Sequence, residues 1–94
     1  MIYFFLLMSE IINEKVSVVS FYDRNTNREL PQEVIWQGRA YKIRQVAYHW
    51  PVRRGRRLLH IFSVVTENNT SFKLVYDTET LYWILEEVVD EFSD

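Results

Sequence analysis

Apolar residues alternate with polar residues in several short runs along this 94-residue chain. Short segments rich in Asn, Asp and Gly, which favour turns, separate the runs. A period of two is typical of β-strands with one buried face, and short strands between tight turns are typical of an antiparallel meander. The pattern therefore predicts an all-β fold, a five- or six-stranded antiparallel meander curled into a partly open barrel.

The first predicted strand covers residues 16–22, and a loop follows at 23–27. A second strand carries Val34 and Trp36 on one face, because the two residues are two positions apart. The dipeptide Gln37-Gly38 is predicted to form a tight hairpin turn, in which glycine supplies a positive φ.

In the third predicted strand, residues 40–50, the apolar side chains occupy odd-numbered positions at first and even-numbered positions later. Its apolar positions are Tyr41 and Ile43, and then Val46, Tyr48 and Trp50. A strand cannot move its apolar side chains from odd to even positions without an extra residue, so we predict a β-bulge or bend near Arg44-Gln45. Pro51 cannot donate to a ladder, and residues 53–57 are therefore predicted to be a loop.

Two further strands are predicted at 58–66 and 72–76, with a turn at Asn68-Asn69. The last segment allows two interpretations. Its leucines and valines fit a helical stripe, whereas Tyr82, Trp83 and Ile84 favour a strand. We predict a strand through about Glu87 and a short polar tail, with a short terminal helix as the alternative.

The length favours one domain, 1–94, with 9–90 as the β domain and 91–94 as a polar tail. Residues 1–8 are mostly apolar but too short to cross a bilayer, and we interpret them as an N-terminal extension or as a strand or short helix that covers the core. The chain has no cysteine, which fits a reducing compartment, so we expect a cytoplasmic protein without membrane contact. The pattern leaves the oligomeric state open.

The predicted core is Trp36, Tyr41, Ile43, Phe62, Val64, Phe72, Leu74 and Trp83.

Charge is divided unevenly along the chain, although the net charge is only −2. No acidic residue lies between Glu33 and Glu67, whereas no Lys or Arg follows Lys73. A basic, aromatic segment can bind a polyanion, since Arg pairs with phosphate and aromatic rings stack on bases. The candidate nucleic-acid-binding residues are Arg39, Lys42, Arg44, Trp50, Arg53, Arg54, Arg56 and Arg57. The alternative is that the arginines form a solvated loop and that Trp50 fills the core with the other two tryptophans.

Catalytic chemistry has little support in the sequence. His49 and His60 are the only histidines. They lie on opposite sides of the arginine-rich segment and could pair across a hairpin, but a zinc site usually needs four ligands. No Gly-rich loop or nucleophile motif is present, and the acidic pairs near the C-terminus read as a solvated face. We therefore predict no catalytic residue, no metal and no cofactor, and we expect the protein not to be an enzyme.

Several short motifs together resemble a family of small uncharacterised bacterial β proteins, whose domain also occurs as the C-terminal tail of Y-family lesion-bypass DNA polymerases. The motifs are Pro31-x-x-Val34-x-Trp36-x-Gly38-Arg39-x-Tyr41-x-Ile43, Val46-x-x-x-Trp50, Phe62-x-Val64-x-Thr66, Phe72-x-Leu74-x-Tyr76-Asp77 and Trp83-x-Leu85-x-x-Val88. The resemblance covers residues 16–90. It implies a fold and a setting in DNA repair, but no mechanism.

We therefore expect a non-catalytic binding module, accessory to DNA repair or lesion bypass through its basic aromatic surface. The partner would be nucleic acid, or a protein such as a DNA polymerase. The alternative function is a protein-interaction module that docks through a strand edge or through the acidic C-terminal segment.

Overall fold

Six antiparallel strands form a closed ring in the computed structural model, which describes the backbone of residues 6–92 and the side chains of 9–89. The strands are β1 (Leu6–Asp23), β2 (Arg28–Trp36), β3 (Arg39–Arg54), β4 (Arg57–Thr66), β5 (Thr70–Asp77) and β6 (Trp83–Phe92). Each strand pairs with the next, and β6 pairs back onto β1. The predicted all-β meander is confirmed. Residues 1–5 of the predicted extension and 93–94 of the predicted tail lie outside the described residues.

The ring consists of two sheets that share the two longest strands. Residues 6–16 of β1 pair with β6, and residues 17–23 pair with β2. In the same way, residues 39–42 of β3 pair with β2, and residues 43–54 pair with β4. The β2–β3 ladder is consequently short, and residues 28–32 of β2 diverge from residues 43–54 of β3. We call this opening the β2–β3 gap.

Two bulges determine which side chains of β3 face inward. The register shifts between Ile43 and Gln45, which confirms the predicted bulge or bend near Arg44-Gln45. A second shift, between Val46 and Tyr48, was not predicted. It turns Tyr48 and Trp50 outward, where they are 68% and 41% exposed. The alternative in which Trp50 fills the core is therefore wrong.

The core fills the inside of the ring and is mostly aliphatic and aromatic. Its buried members are Val34, Phe62, Val64, Phe72, Leu74, Trp83, Leu85 and Val88. Five of the eight predicted core residues are buried, whereas Trp36, Tyr41 and Ile43 are half-buried and pack against that core. Trp36 and Tyr41 each meet Phe72 edge to face, with ring centroids 6.0 and 5.1 Å apart. Such aromatic pairs add to the stabilisation from burial.

The predicted ends of several strands are wrong. Pro51 stays in the ladder opposite His60, because β3 is unpaired on its other side there and a proline is tolerated on an open edge. The predicted loop at 53–57 is wrong: β3 continues to Arg54, β4 begins at Arg57, and the turn is only Gly55-Arg56. The strand interpretation of the last segment is confirmed, and β6 continues to Phe92 rather than stopping near Glu87. No helix occurs within residues 6–92, and hence none there could cross a membrane.

Replacing Phe72 with Ala tests the core, since this side chain is 1% exposed. Loss of a buried phenyl ring should lower the free energy of unfolding by about 3–5 kcal/mol. Phe21 is 56% exposed on the outer face of β1, and Phe21→Ala should change stability by less than about 0.5 kcal/mol. Urea unfolding of both variants provides the measurement, and equal losses would contradict the core assignment.

Candidate functional site

The β3–β4 hairpin carries the candidate surface on its outer face. Gly55 has a φ of +67° at the first of the two turn residues, where a type II′ turn requires glycine. Residues directly opposite in an antiparallel ladder share a face, so Trp50 and Val52 lie beside Ile61 and Leu59 respectively. The hairpin therefore presents exposed aromatic rings next to a small apolar cluster outside the ring of strands.

This outer cluster consists of Leu59, Ile61 and Val75, which are buried, with Val52 and Ile84 packed against them. Charged residues border a groove of about 310 Å³ above it. Arg57 pairs with Asp77 at 2.7 Å, whereas Glu86 pairs with both Arg54 at 3.0 Å and Lys73 at 3.2 Å. The acidic C-terminal third thus folds back on the basic middle of the chain.

The ion pairs change the charge that this surface offers to a ligand. The hydrogen bond from Arg54 holds the pKa of Glu86 below its usual value, with a further contribution from Lys73. The backbone N–H of Glu79 is the main cause of the lowered pKa of Asp77, to which Arg57 also contributes. Both carboxylates are therefore ionised at neutral pH and neutralise two of the candidate arginines.

The eight residues predicted to bind nucleic acid fall into two groups at opposite ends of β3. Trp50 lies with Arg53, Arg54, Arg56 and Arg57 near the tip of the hairpin. The other group comprises Arg39, Lys42 and Arg44 at the start of the strand. A strand rises about 3.3 Å per residue, which places Arg39 roughly 35 Å from Trp50 along β3. The structure therefore forms two basic surfaces rather than one.

The two groups also differ in the contacts that their arginines make. Arg44 donates to the side-chain oxygen of Asn69 at 2.9 Å, and Arg39 lies over the ring of Tyr41, 5.2 Å from its centroid. At the hairpin, Arg53 and Arg56 are exposed and make no ion pair among the described residues. Tyr48 belongs to this surface as well, because it is exposed two residues before Trp50 on the same face of β3.

A second candidate site lies inside the β2–β3 gap. A pocket of about 170 Å³ opens there, with mostly apolar walls. Its lining residues are Tyr22, Asn27, Arg28, Glu29, His49, His60, Phe62, Tyr76 and Thr78. We call this the gap pocket. The two histidines of the pocket are eleven residues apart and meet across the β3–β4 ladder, as their positions on either side of the hairpin turn allowed.

A directed chain of hydrogen bonds crosses the gap pocket. Arg28 Nη2 lies 3.0 Å from His49 Nδ1, and His49 Nε2 lies 2.9 Å from His60 Nδ1. Arginine can only donate, so His49 accepts at Nδ1 and carries its proton on Nε2. His49 then donates to His60, whose own proton must also lie on Nε2. The chain therefore requires two neutral imidazoles.

Packing reinforces this protonation state. The ring of His49 stacks on Phe62, with centroids 4.4 Å apart and planes 11° apart. The rings of His49 and His60 lie side by side, as their short nitrogen–nitrogen distance requires. Burial lowers the pKa of His49, and repulsion from His60 and Arg28 lowers it further.

Among the described residues, no three His, Cys, Asp or Glu side chains are placed to hold a metal ion.

Acid should destabilise the protein in two separate pH ranges. The unfolded chain protonates His49 more readily than the native state does, so stability should fall as the pH drops below 6.5, the ordinary value of histidine. Asp77 and Glu86 have lowered pKa values, and their contribution should be lost only below about pH 4. Urea unfolding from pH 7.5 to 3 measures both ranges. His49→Gln should flatten the upper range and leave the lower one unchanged, and an unchanged upper range would contradict the assignment.

The comparisons with known proteins identify a family without a known activity. No curated protein and no solved structure matches the chain. One family model matches residues 7–90, which is nearly the whole ring of strands. The chain therefore belongs to the DUF6504 family, a domain of unknown function.

Proposed function

We propose that the protein is a non-catalytic binding module that contacts single-stranded nucleic acid through the outer face of the β3–β4 hairpin. The observation that carries the proposal is the exposure of Tyr48 and Trp50 on one face of β3. Two exposed arginines follow at the end of the hairpin, Arg53 on the other face of the strand and Arg56 in the turn. Proteins that bind single strands combine aromatic side chains, on which bases stack, with basic residues along the backbone path.

Single-stranded nucleic acid suits this surface better than a duplex. Stacking on Trp50 requires a base with an accessible face, which a paired and stacked base in a duplex does not offer. The two aromatic side chains are two residues apart on one strand face, and this spacing allows neighbouring bases to reach both. Alanine replacement of a stacking aromatic residue typically costs about 1–3 kcal/mol per base.

The electrostatic contribution comes from a local surface rather than from the whole molecule. A pI near 5.7 and a net charge of −2 give no general attraction to a polyanion. Arg54 and Arg57 are already paired with Glu86 and Asp77, so Arg53 and Arg56 provide the unneutralised charge of the hairpin. We therefore expect few phosphate contacts and a modest affinity that depends on aromatic stacking.

The resemblance to the C-terminal tail of Y-family DNA polymerases supports a setting for this activity. During lesion bypass the template is single-stranded ahead of the polymerase. A small module that holds unpaired bases would act as an accessory there, either beside a polymerase or as part of one. We accordingly propose a role in DNA repair, with a DNA polymerase as the protein partner.

One observation favours a second function, docking of a protein partner on the same face. The groove over Leu59, Val75 and Ile84 has an apolar floor and a charged rim. Exposed Trp and Tyr residues with nearby Arg are typical of energetically important positions in protein interfaces. The two acidic residues of the groove form ion pairs with arginines. This partner would therefore contact the apolar floor and the exposed rings of Tyr48 and Trp50.

Fluorescence anisotropy with a labelled single-stranded oligonucleotide tests the proposed function. Wild-type protein should bind at about 50 mM salt and more weakly at about 200 mM, because each phosphate contact releases counterions. Trp50→Ala should weaken binding by roughly 5- to 150-fold, the equivalent of one lost stacking contact. The double variant Arg53→Ser/Arg56→Ser should reduce the salt slope by about one unit for each lost contact.

Arg39→Ser/Lys42→Ser provides a charge-matched control, since both residues are exposed at the start of β3, the end of the strand away from the hairpin tip. This change should leave the salt slope unaltered. Absence of binding at the lower salt concentration would reject the nucleic-acid function. If Trp50→Ala instead weakened binding to a purified polymerase partner, the protein-docking alternative would be the better one.

A further inference from the structure

We propose that the gap pocket binds one unpaired nucleobase, an inference that rests on the proposed function and adds a second contact to it. Drug-sized ligands occupy pockets of about 300–1,000 Å³, so a pocket of about 170 Å³ suits a single flat ring system. Its walls include Tyr22, His49, Phe62 and Tyr76. Aromatic and imidazole rings are the side chains on which proteins stack splayed-out bases.

The polar groups of the pocket favour a nucleobase over an aromatic side chain. Arg28 and His60 carry donors. Glu29 and Asn27 carry acceptor oxygens, which accept from Ser20 and Tyr22 respectively and have further lone pairs for a ligand. The directed chain places a proton on His60 Nε2, and no described residue accepts a hydrogen bond from that atom. Every buried polar side-chain atom of the described region has a hydrogen-bond partner. Because His60 Nε2 has none, this nitrogen is not buried and is open to solvent or to a ligand. A base has both donors and acceptors along its edge, whereas a phenyl ring has neither.

The position of the pocket connects it to the hairpin surface. His49 and Trp50 are consecutive residues on β3, so their side chains project from opposite faces of the strand. Along this part of β3 the strand is unpaired on the side of the gap. A nucleic-acid strand that passes over this edge could stack one base on Trp50 and insert a neighbouring base into the gap pocket. Arg28, exposed at the mouth of the pocket, would then lie near the connecting phosphate.

Histidine NMR of the full chain tests the pocket directly. The chain has only two histidines, so a long-range ¹⁵N–¹H spectrum contains two imidazole systems. Titration with the four deoxynucleoside 5′-monophosphates should shift both systems in a saturable way, with millimolar affinity, for at least one base. Ribose 5-phosphate should shift neither. Tyr22→Ala should weaken the nucleotide effect several-fold, because Tyr22 lines the pocket and is 54% exposed. Tyr82→Ala, at a tyrosine 47% exposed outside the pocket, is the matched control.

Three results would overturn the inference. One is the absence of imidazole shifts with every nucleotide, and another is an equal response to ribose 5-phosphate, which would show that the histidines bind only phosphate. The third is a stronger response to N-acetyltryptophanamide, which would assign the pocket to a protein side chain. Failure of the hairpin function gives a different result, since oligonucleotide binding would be absent or insensitive to Trp50→Ala while the mononucleotide shifts persisted.

Discussion

The architecture depends on one constraint: β1 and β3 must each pair in two different sheets. A strand that leaves one partner and joins another has to bend, and an extra residue allows the bend without exposing the apolar face. In β1 the register shifts between Ile11 and Glu14, and Asn13 there has a φ of 52°. In β3 the two shifts near Arg44 and Ala47 serve the same purpose. The closed ring and the β2–β3 gap both follow from these local insertions.

The same bulges give β3 its two different faces. After the second shift, His49 turns toward the inside of the ring and Trp50 turns toward solvent. An inward imidazole can join the hydrogen-bond chain with Arg28 and His60, while the outward indole lies beside the apolar cluster of the hairpin. Removal of one residue from this part of β3 would exchange the two side chains. The candidate surface and the gap pocket therefore depend on the same backbone irregularity.

Much of the fold could be predicted from the sequence because alternation over short runs has few interpretations. The parity of Tyr41, Ile43 and Val46 was sufficient to place the first bulge. The second bulge was not predictable, since Val46, Tyr48 and Trp50 keep an unbroken period of two in the sequence. The predicted loop at 53–57 was also wrong. Pro51 and Gly55 are local signals for a loop, but the open edge of β3 tolerates the proline. Gly55 belongs to a turn of only two residues. The ion pairs of Arg54 and Arg57 depend on register between strands, which the sequence does not display. The pairing of the two histidines across a hairpin could be foreseen, but their hydrogen-bond chain with Arg28 could not.

The open edge of β3 also bears on whether a second copy of the chain can pair with it. An unpaired strand edge offers hydrogen-bonding groups to any other extended chain and is a common starting point for aggregation. Here the edge is interrupted by two bulges and by Pro51, and it ends in arginines at the hairpin tip. Each of these features disfavours continuous pairing with a second strand. The chain can therefore keep a gap in its ring of strands, with side chains available to a ligand, while its backbone remains a poor template for another copy.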